Sequence, residues 1–178
     1  MMESISVSKA TVHGIRTLSK KLELLEDKNS QIYQENVAKF GIPEEYVRKA
    51  FSEEAVLEAT KSGKSTIYLA LENRCKILGF AQTIQRDHLT TELDRIVVFP
   101  SHTRMGIGTR LLTKAVNDEK KKGTKTIIVN AGKKETHARR FYEKNEFKPT
   151  KETEMDAPWG SKIVLVTYQL QIEDKKHN

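Results

Sequence analysis

Ile96-Val-Val-Phe-Pro-Ser-His-Thr-Arg-Met-Gly-Ile-Gly-Thr-Arg-Leu-Leu112 is the stretch on which the fold turns. A β-branched run enters a proline-broken loop, two glycines follow, and Ile107, Leu111 and Leu112 then recur at helical spacing. The segment therefore reads as strand, glycine-bearing loop and helix. Such a junction binds anions, because the first N–H groups of the helix lack partners and its dipole favours negative charge. Gly106 and Gly108 remove side chains that would block close backbone approach. Two glycines before a helix also serve as plain turn and packing residues, and the loop alone does not separate the two. No Gly-Lys-Ser/Thr follows and the first glycine of the dinucleotide fingerprint is missing, so neither nucleotide motif is present.

Outward from this junction the periodicities alternate. Ser4 to Thr11 reads as a strand, and Val12 to Lys28 as a helix with Ile15, Leu18, Leu22 and Leu25 on one face. A second helix is expected from Pro43 to Lys61, where proline suits the first helical position. Ser65 to Leu71, Lys76 to Gln85 and Leu89 to Phe99 form three consecutive strands of an antiparallel meander. Gly108 to Lys122 is helical, Thr124 to Asn130 a strand, Glu135 to Asn145 helical and Ile163 to Leu170 a strand. The fold class is α/β with a mixed sheet, and 178 residues suit a single domain over 1–178. Glu119-Lys-Lys-Lys-Gly-Thr-Lys125 reads as a solvated helix end, with Gly123 as its left-handed cap.

Composition narrows the function classes. With 37% hydrophobic and 31% charged residues the chain is an ordinary globular sequence. No apolar run reaches the length of a membrane span and Met1 to Ala10 does not resemble a signal peptide, so a cytoplasmic protein without membrane contact is expected. The net charge of +7 brings no aromatic interleaving or recognition motif, which argues against a nucleic-acid partner. Cys75 is the only cysteine and has no clustered histidines, so neither a disulfide nor a metal site is expected.

The loop followed by Leu111-Leu112 resembles motif A of the GNAT family of N-acetyltransferases, and Ala138-Arg-Arg-Phe-Tyr-Glu-Lys-Asn-Glu-Phe147 resembles their motif B. The two motifs stand in the family's order, with a helix and a strand between them, and the order of elements is similar along nearly the whole chain. The resemblance implies a single-domain, mostly antiparallel mixed sheet flanked by helices, acetyl-CoA as co-substrate and direct transfer of its acetyl group to an amine. It implies coenzyme contacts at Ile96, Val97, Val98, Arg104, Met105, Gly106, Ile107, Gly108, Thr109, Asn130, Arg139 and Tyr142, with the Val98 N–H as oxyanion donor and Asn130 on the pantetheine arm. Lys133, Lys134 and Arg140 are further candidates for the coenzyme phosphates. Three positions depart from the family pattern: Thr103 stands where Gln or Arg is usual, Glu135 where Asn is frequent, and Glu146 where Gly is usual.

Amine acetylation needs a base for the ammonium proton and an acid for the departing thiolate. Glu92 matches the family's water-mediated glutamate base, and Tyr142 resembles its general acid. Asp94 lies two residues beyond Glu92 and shares its strand face, so the pair is a candidate cation site, although such pairs are common on solvated sheets. The runs Glu44 to Thr60 and Glu92 to Ile96 look somewhat like bacterial spermine/spermidine N-acetyltransferases. Glu92, Asp94, Glu152, Glu154 and Asp156 are candidates for an acidic acceptor pocket, with Tyr33, Phe40, Tyr46 and Trp159 as lining or core. A polyamine or other small primary amine is the leading acceptor and a peptide amine the next. A non-catalytic acyl-CoA-binding regulatory module is the rival class, and a homodimer is left open.

Overall fold

Seven strands form one sheet in the order β1-β2-β3-β4-β5-β7-β6: β1 Ile5–Lys9, β2 Ser65–Glu72, β3 Lys76–Gln85, β4 Thr90–Val98, β5 Thr126–Gly132, β6 Lys148–Asp156 and β7 Lys162–Gln171. The helices are α1 Val12–Leu22, α2 Glu44–Phe51, α3 Glu53–Lys61, α4 Ile107–Lys122 and α5 Thr136–Lys144, with a short 3-10 turn at Pro100–His102. This computed structural model describes residues 4–23, 29 and 42–172. The expected helical positions 24–28, with Leu25, and the candidate pocket residues Tyr33 and Phe40 lie outside them. No helix among the described residues is long and apolar enough to cross a membrane. β4 and β5 pair in parallel, whereas β1 with β2, β5 with β7 and β6 with β7 pair antiparallel.

The chain divides into two compact units, Met1–Gln82 with Ile96–Lys114 and Thr83–Arg95 with Ala115–Asn178. In the first, Ile15, Leu18 and Leu22 of α1 join Val56 of α3, Ile67 and Leu69 of β2, Ile77 and Phe80 of β3, and Phe99 in one buried cluster. Thr11 caps α1 by accepting from the Gly14 N–H at 3.1 Å. The single helix expected from Pro43 to Lys61 is two. Ser52 is extended (ψ 146°) and its Oγ accepts from the Ala55 N–H at 3.2 Å, so a residue with a capping side chain breaks the run and starts α3. Asn73 and Arg74, both at positive φ, form the two-residue turn between β2 and β3, closed by the Cys75 N–H on the Glu72 carbonyl.

The second unit contains a strand the periodicities did not announce. β6 reads KPTKETEMD and is exposed along almost its whole length, so it carries no alternation of apolar and polar residues. It is an edge strand blunted by charges, Pro149 and a register shift between Pro149 and Lys151. α4 ends as expected, with Gly123 at φ +91° and the Thr124 N–H on the Glu119 carbonyl at 3.1 Å. The expectation of a solvated end fails at Glu119, which is only 2% exposed. Its Oε2 accepts from Thr91 Oγ1 at 2.7 Å and Thr124 Oγ1 at 2.9 Å, while Lys122 contacts Oε1 at 2.6 Å. Hydrogen bonds to a charged acceptor contribute about 1.5–3 kcal/mol each, so this carboxylate ties the end of α4 to the start of β4.

The strand that leads into the glycine loop is held against β3 with little clearance. A Cβ on Gly79 would lie 2.6 Å from the Val97 carbonyl oxygen, 3.1 Å from Val98 Cα and 3.5 Å from Leu111 Cδ1. The Phe99 N–H donates to the Leu78 carbonyl at 2.9 Å just beyond. Gly79→Ala is therefore expected to push the 97–98 backbone aside and to destabilise the chain by about 1–3 kcal/mol, read as a lowered urea midpoint. An unchanged midpoint would mean that the two strands are not packed this closely.

Candidate active site

The loop after β4 has the conformation its sequence suggested. Arg104 (φ +63°) and Gly106 (φ +72°) are both left-handed, and the first helical bond runs from the Arg110 N–H to the Gly106 carbonyl at 3.0 Å. The intervening turn leaves the N–H groups from Arg104 to Thr109 without a backbone acceptor among the described residues. Residues 103–106 are exposed, whereas Ile107, Leu111 and Leu112 are buried and anchor the helix. A run of free N–H groups at the start of a 16-residue helix suits a pyrophosphate. His102, just upstream, has its imidazole pushed below the usual range by burial and by Lys76 and Lys21, which disfavours its charged form.

On the second unit the geometry begins with a ladder that stops early. β4 and β5 pair only through Thr90↔Thr126, Thr91↔Ile127 and Glu92↔Ile128. Leu93, Asp94 and Arg95 therefore make no further rungs with Val129 to Gly132. Glu92 stands at the last rung. Its Oε1 accepts from Asn130 Nδ2 at 3.2 Å, and Asn130 Oδ1 accepts from Thr167 Oγ1 at 2.7 Å across the β5–β7 pair. Glu92 Oε2 receives both Nε and Nη2 of Arg86. A polar row Thr167, Asn130, Glu92, Arg86 thus crosses one face of the sheet.

The expected cation site is already matched with internal cations. Asp94 accepts from Arg95 Nε at 2.8 Å, Glu152 pairs with Lys133 at 2.8 Å and Glu154 with Lys162 at 3.1 Å. Trp159 is half-buried beside the turn after β6, and Tyr46 is half-buried on α2. Arg139, expected at the coenzyme phosphates, donates through Nε to Tyr168 Oη at 2.8 Å and through Nη1 to the Lys133 carbonyl at 3.0 Å. Lys134 and Arg140 are exposed. Sequence reasoning missed Arg86, whose only signal was its position six residues before Glu92 across a hairpin.

Tyr142 lies on the other face. Its ring is packed 5.7 Å from that of Phe147, 6.1 Å from that of Tyr168 and 5.5 Å from that of Phe141. Tyr168 pairs with Val129 in the ladder and Thr167 with Asn130, so strand alternation puts the Tyr142 cluster and the Glu92 row on opposite sides of β5 and β7. Burial, and secondarily the Glu135 carboxylate, push the Tyr142 phenol well above its ordinary range. Among the described residues its hydroxyl has no hydrogen-bond partner. Glu135 itself folds back to accept from the Gly132 N–H and closes the turn into α5.

α5 ends in a Schellman motif that fixes Tyr142. The Phe147 N–H donates to the Tyr142 carbonyl and the Glu146 N–H to the Glu143 carbonyl, both at 3.1 Å, while the Phe147 ring packs on Tyr142. The motif demands a left-handed residue at Glu146, which has φ +69°.

The sequence model of the Acetyltransferase (GNAT) family matches residues 29–147, and the chain belongs to that family of N-acetyltransferases. No match was found among the curated proteins. Solved structures are similar in fold. The PaiA N-acetyltransferase of Thermoplasma acidophilum, in complex with coenzyme A, is 22% identical at a TM-score of 0.67, over 95% of this chain and 99% of that one. A GNAT family acetyltransferase of Elizabethkingia anophelis with acetyl-CoA bound is 18% identical at 0.63, over 94% and 98%. The ribosomal-protein-S18-alanine N-acetyltransferase of Escherichia coli is 16% identical at 0.69, over 98% and 99%. Among the described residues no group of three or more His, Cys, Asp or Glu side chains is arranged to hold a metal ion.

The left-handed position at Glu146 yields a stability test. A non-glycine residue there costs about 1–2 kcal/mol, and the side chain is exposed. Glu146→Gly should therefore raise the urea midpoint by an amount equivalent to roughly 1 kcal/mol, and a lowered midpoint would show that the carboxylate itself supports the turn.

Proposed function

We propose that the chain transfers the acetyl group of acetyl-CoA directly to a primary amine, with a small amine such as a polyamine as the first acceptor to test. The observation that carries this reading is the position of Glu92 and Tyr142 on opposite faces of the strands at the point where the β4–β5 ladder ends. A thioester entering such a gap would meet a carboxylate from one side and a phenol from the other. On this reading the N–H groups from Arg104 to Thr109 hold the pyrophosphate, with Ile96 to Val98 along the pantetheine arm and the Val98 N–H on the carbonyl oxygen.

The roles follow from the chemistry of the bond change. Glu92, through a water, takes the proton that the amine must lose before its nitrogen can attack. A C–N bond then forms and the C–S bond breaks, leaving negative charge on sulfur and a surplus proton on the new amide nitrogen, which water carries to the sulfur to give the amide and the free thiol. Tyr142 donates to that sulfur. Because burial raises the phenol, it is a weaker acid than an ordinary thiol of pKa about 8.5. Its main contribution is therefore a hydrogen bond to the leaving thiolate rather than early, complete proton transfer. The paired carboxylates do not disqualify a cationic acceptor, since an ammonium that replaces Arg86 or Arg95 restores the ion pair it breaks.

Release of free thiol from acetyl-CoA, measured with spermidine, spermine and peptides bearing free N-termini, tests the reading. Turnover with the polyamines supports it, and turnover with peptides alone moves the acceptor to a protein amine. Coenzyme binding without any turnover favours a regulatory module. Tyr142→Phe should lower kcat by about 10²-fold with little change in coenzyme affinity. Since its phenol is held neutral beyond the ordinary range, wild-type activity should show no falling limb from Tyr142 below about pH 10.

A further inference from the structure

The geometry points to Arg86 as a specificity-determining residue whose guanidinium occupies, on Glu92, the place that an acceptor's ammonium group would take. This rests on the reading of Glu92 as the base that meets the amine. Both Nε and Nη2 of Arg86 converge on Glu92 Oε2, while Asn130 Nδ2 takes Oε1, so each oxygen of the carboxylate already has a donor of this chain. An approaching ammonium therefore finds the carboxylate neutralised and must displace a like charge to reach it.

The two partners differ in their freedom to move. The Glu92 side chain is 13% exposed and tethered by Asn130, whereas that of Arg86 is 49% exposed. The hairpin that carries Arg86 is held independently of its side chain. The Arg86 and Asp87 N–H groups donate to the Thr90 carbonyl at 2.9 and 3.2 Å, and Asp87 Oδ1 accepts from the Leu89 and Thr90 N–H groups at 2.8 Å each. Those two bonds also hold the Asp87 carboxyl below its usual range. The guanidinium can thus swing off Glu92 about its own side-chain torsions while the backbone stays in place.

Displacement makes Arg86 a competitor for every cationic acceptor. A charged amine must exchange with it, and the weaker the acceptor's own contacts, the more the competition raises its apparent KM. The neighbouring pair repeats the arrangement, since Arg95 covers Asp94. The strand therefore presents two carboxylates that are each covered by an internal arginine, and a polycation able to displace both gains most.

The test compares Arg86→Gln, Glu92→Gln and the double variant with the wild-type chain, reading spermidine binding by calorimetry and KM and kcat by thiol release. Lys162→Gln, which removes an equal charge from the exposed pair with Glu154, corrects for net charge. Arg86→Gln should tighten spermidine binding and lower its KM by about fivefold, so that KM falls by more than kcat changes. The gain should vanish in the double variant. Unchanged or weaker binding in Arg86→Gln, or tightening that persists without Glu92, overturns the proposal. Wild-type turnover with no tightening leaves the transfer reading standing without Arg86 as competitor, and tightening in a chain that turns over no amine keeps the competition while removing the transfer reading.

Discussion

The early end of the β4–β5 ladder is the constraint on which the proposed site depends. A parallel pair normally runs the length of its strands, because every unpaired N–H or C=O must find another partner or remain hydrated. Here three residue pairs suffice and the strands then part company. The cost is spread over supports that lie around the gap rather than in it. Glu119 anchors Thr91 at the start of β4, and β7 pairs with β5 along all seven residues from Thr126 to Gly132. Each strand is thus secured by another neighbour and can leave its backbone free toward the gap.

On the proposed reading, the same gap lets chemistry be divided between two faces. On a continuous sheet, Glu92 and Tyr142 would be separated by a layer of hydrogen-bonded backbone and could not serve one reaction. Where the ladder is open, groups above and below can reach the same bond. The two environments then suit different tasks. Glu92 keeps polar company with Asn130 and Arg86, whereas Tyr142 is embedded among Phe141, Phe147 and Tyr168. A phenol surrounded by rings remains protonated.

Much of this was legible in the residues because it is local. Gly123 announced a left-handed cap, and the helix expected from Glu135 to Asn145 spans Thr136–Lys144. The family's usual glycine at position 146 has a plain cause in the φ of +69° that Glu146 must adopt. What escaped was non-local or lacked a period. β6 has no buried face and so no alternation. Ser52 interrupts a continuous apolar stripe with a cap that competes on the scale of one hydrogen bond. The burial of Glu119 depends on Thr91, 28 positions away in the chain. The residue type gave no sign of it, since glutamate in a basic helix end is ordinarily solvated.

The acceptor is hard to read from sequence for a related reason. A count of carboxylates suggests affinity for cations, but the field at a site depends on what each carboxylate already holds. Glu92, Asp94, Glu152 and Glu154 each hold a cation from this chain. Their attraction for an external amine is a difference between two ion pairs, one broken and one formed, and is much smaller than either. On the proposed reading, selectivity arises from geometry: an acceptor wins when its charges are spaced to replace several internal partners at once, or when its uncharged parts add contacts that the internal cations cannot make. Net charge enters such a competition weakly, so a total of +7 does not argue against the proposed cationic acceptor.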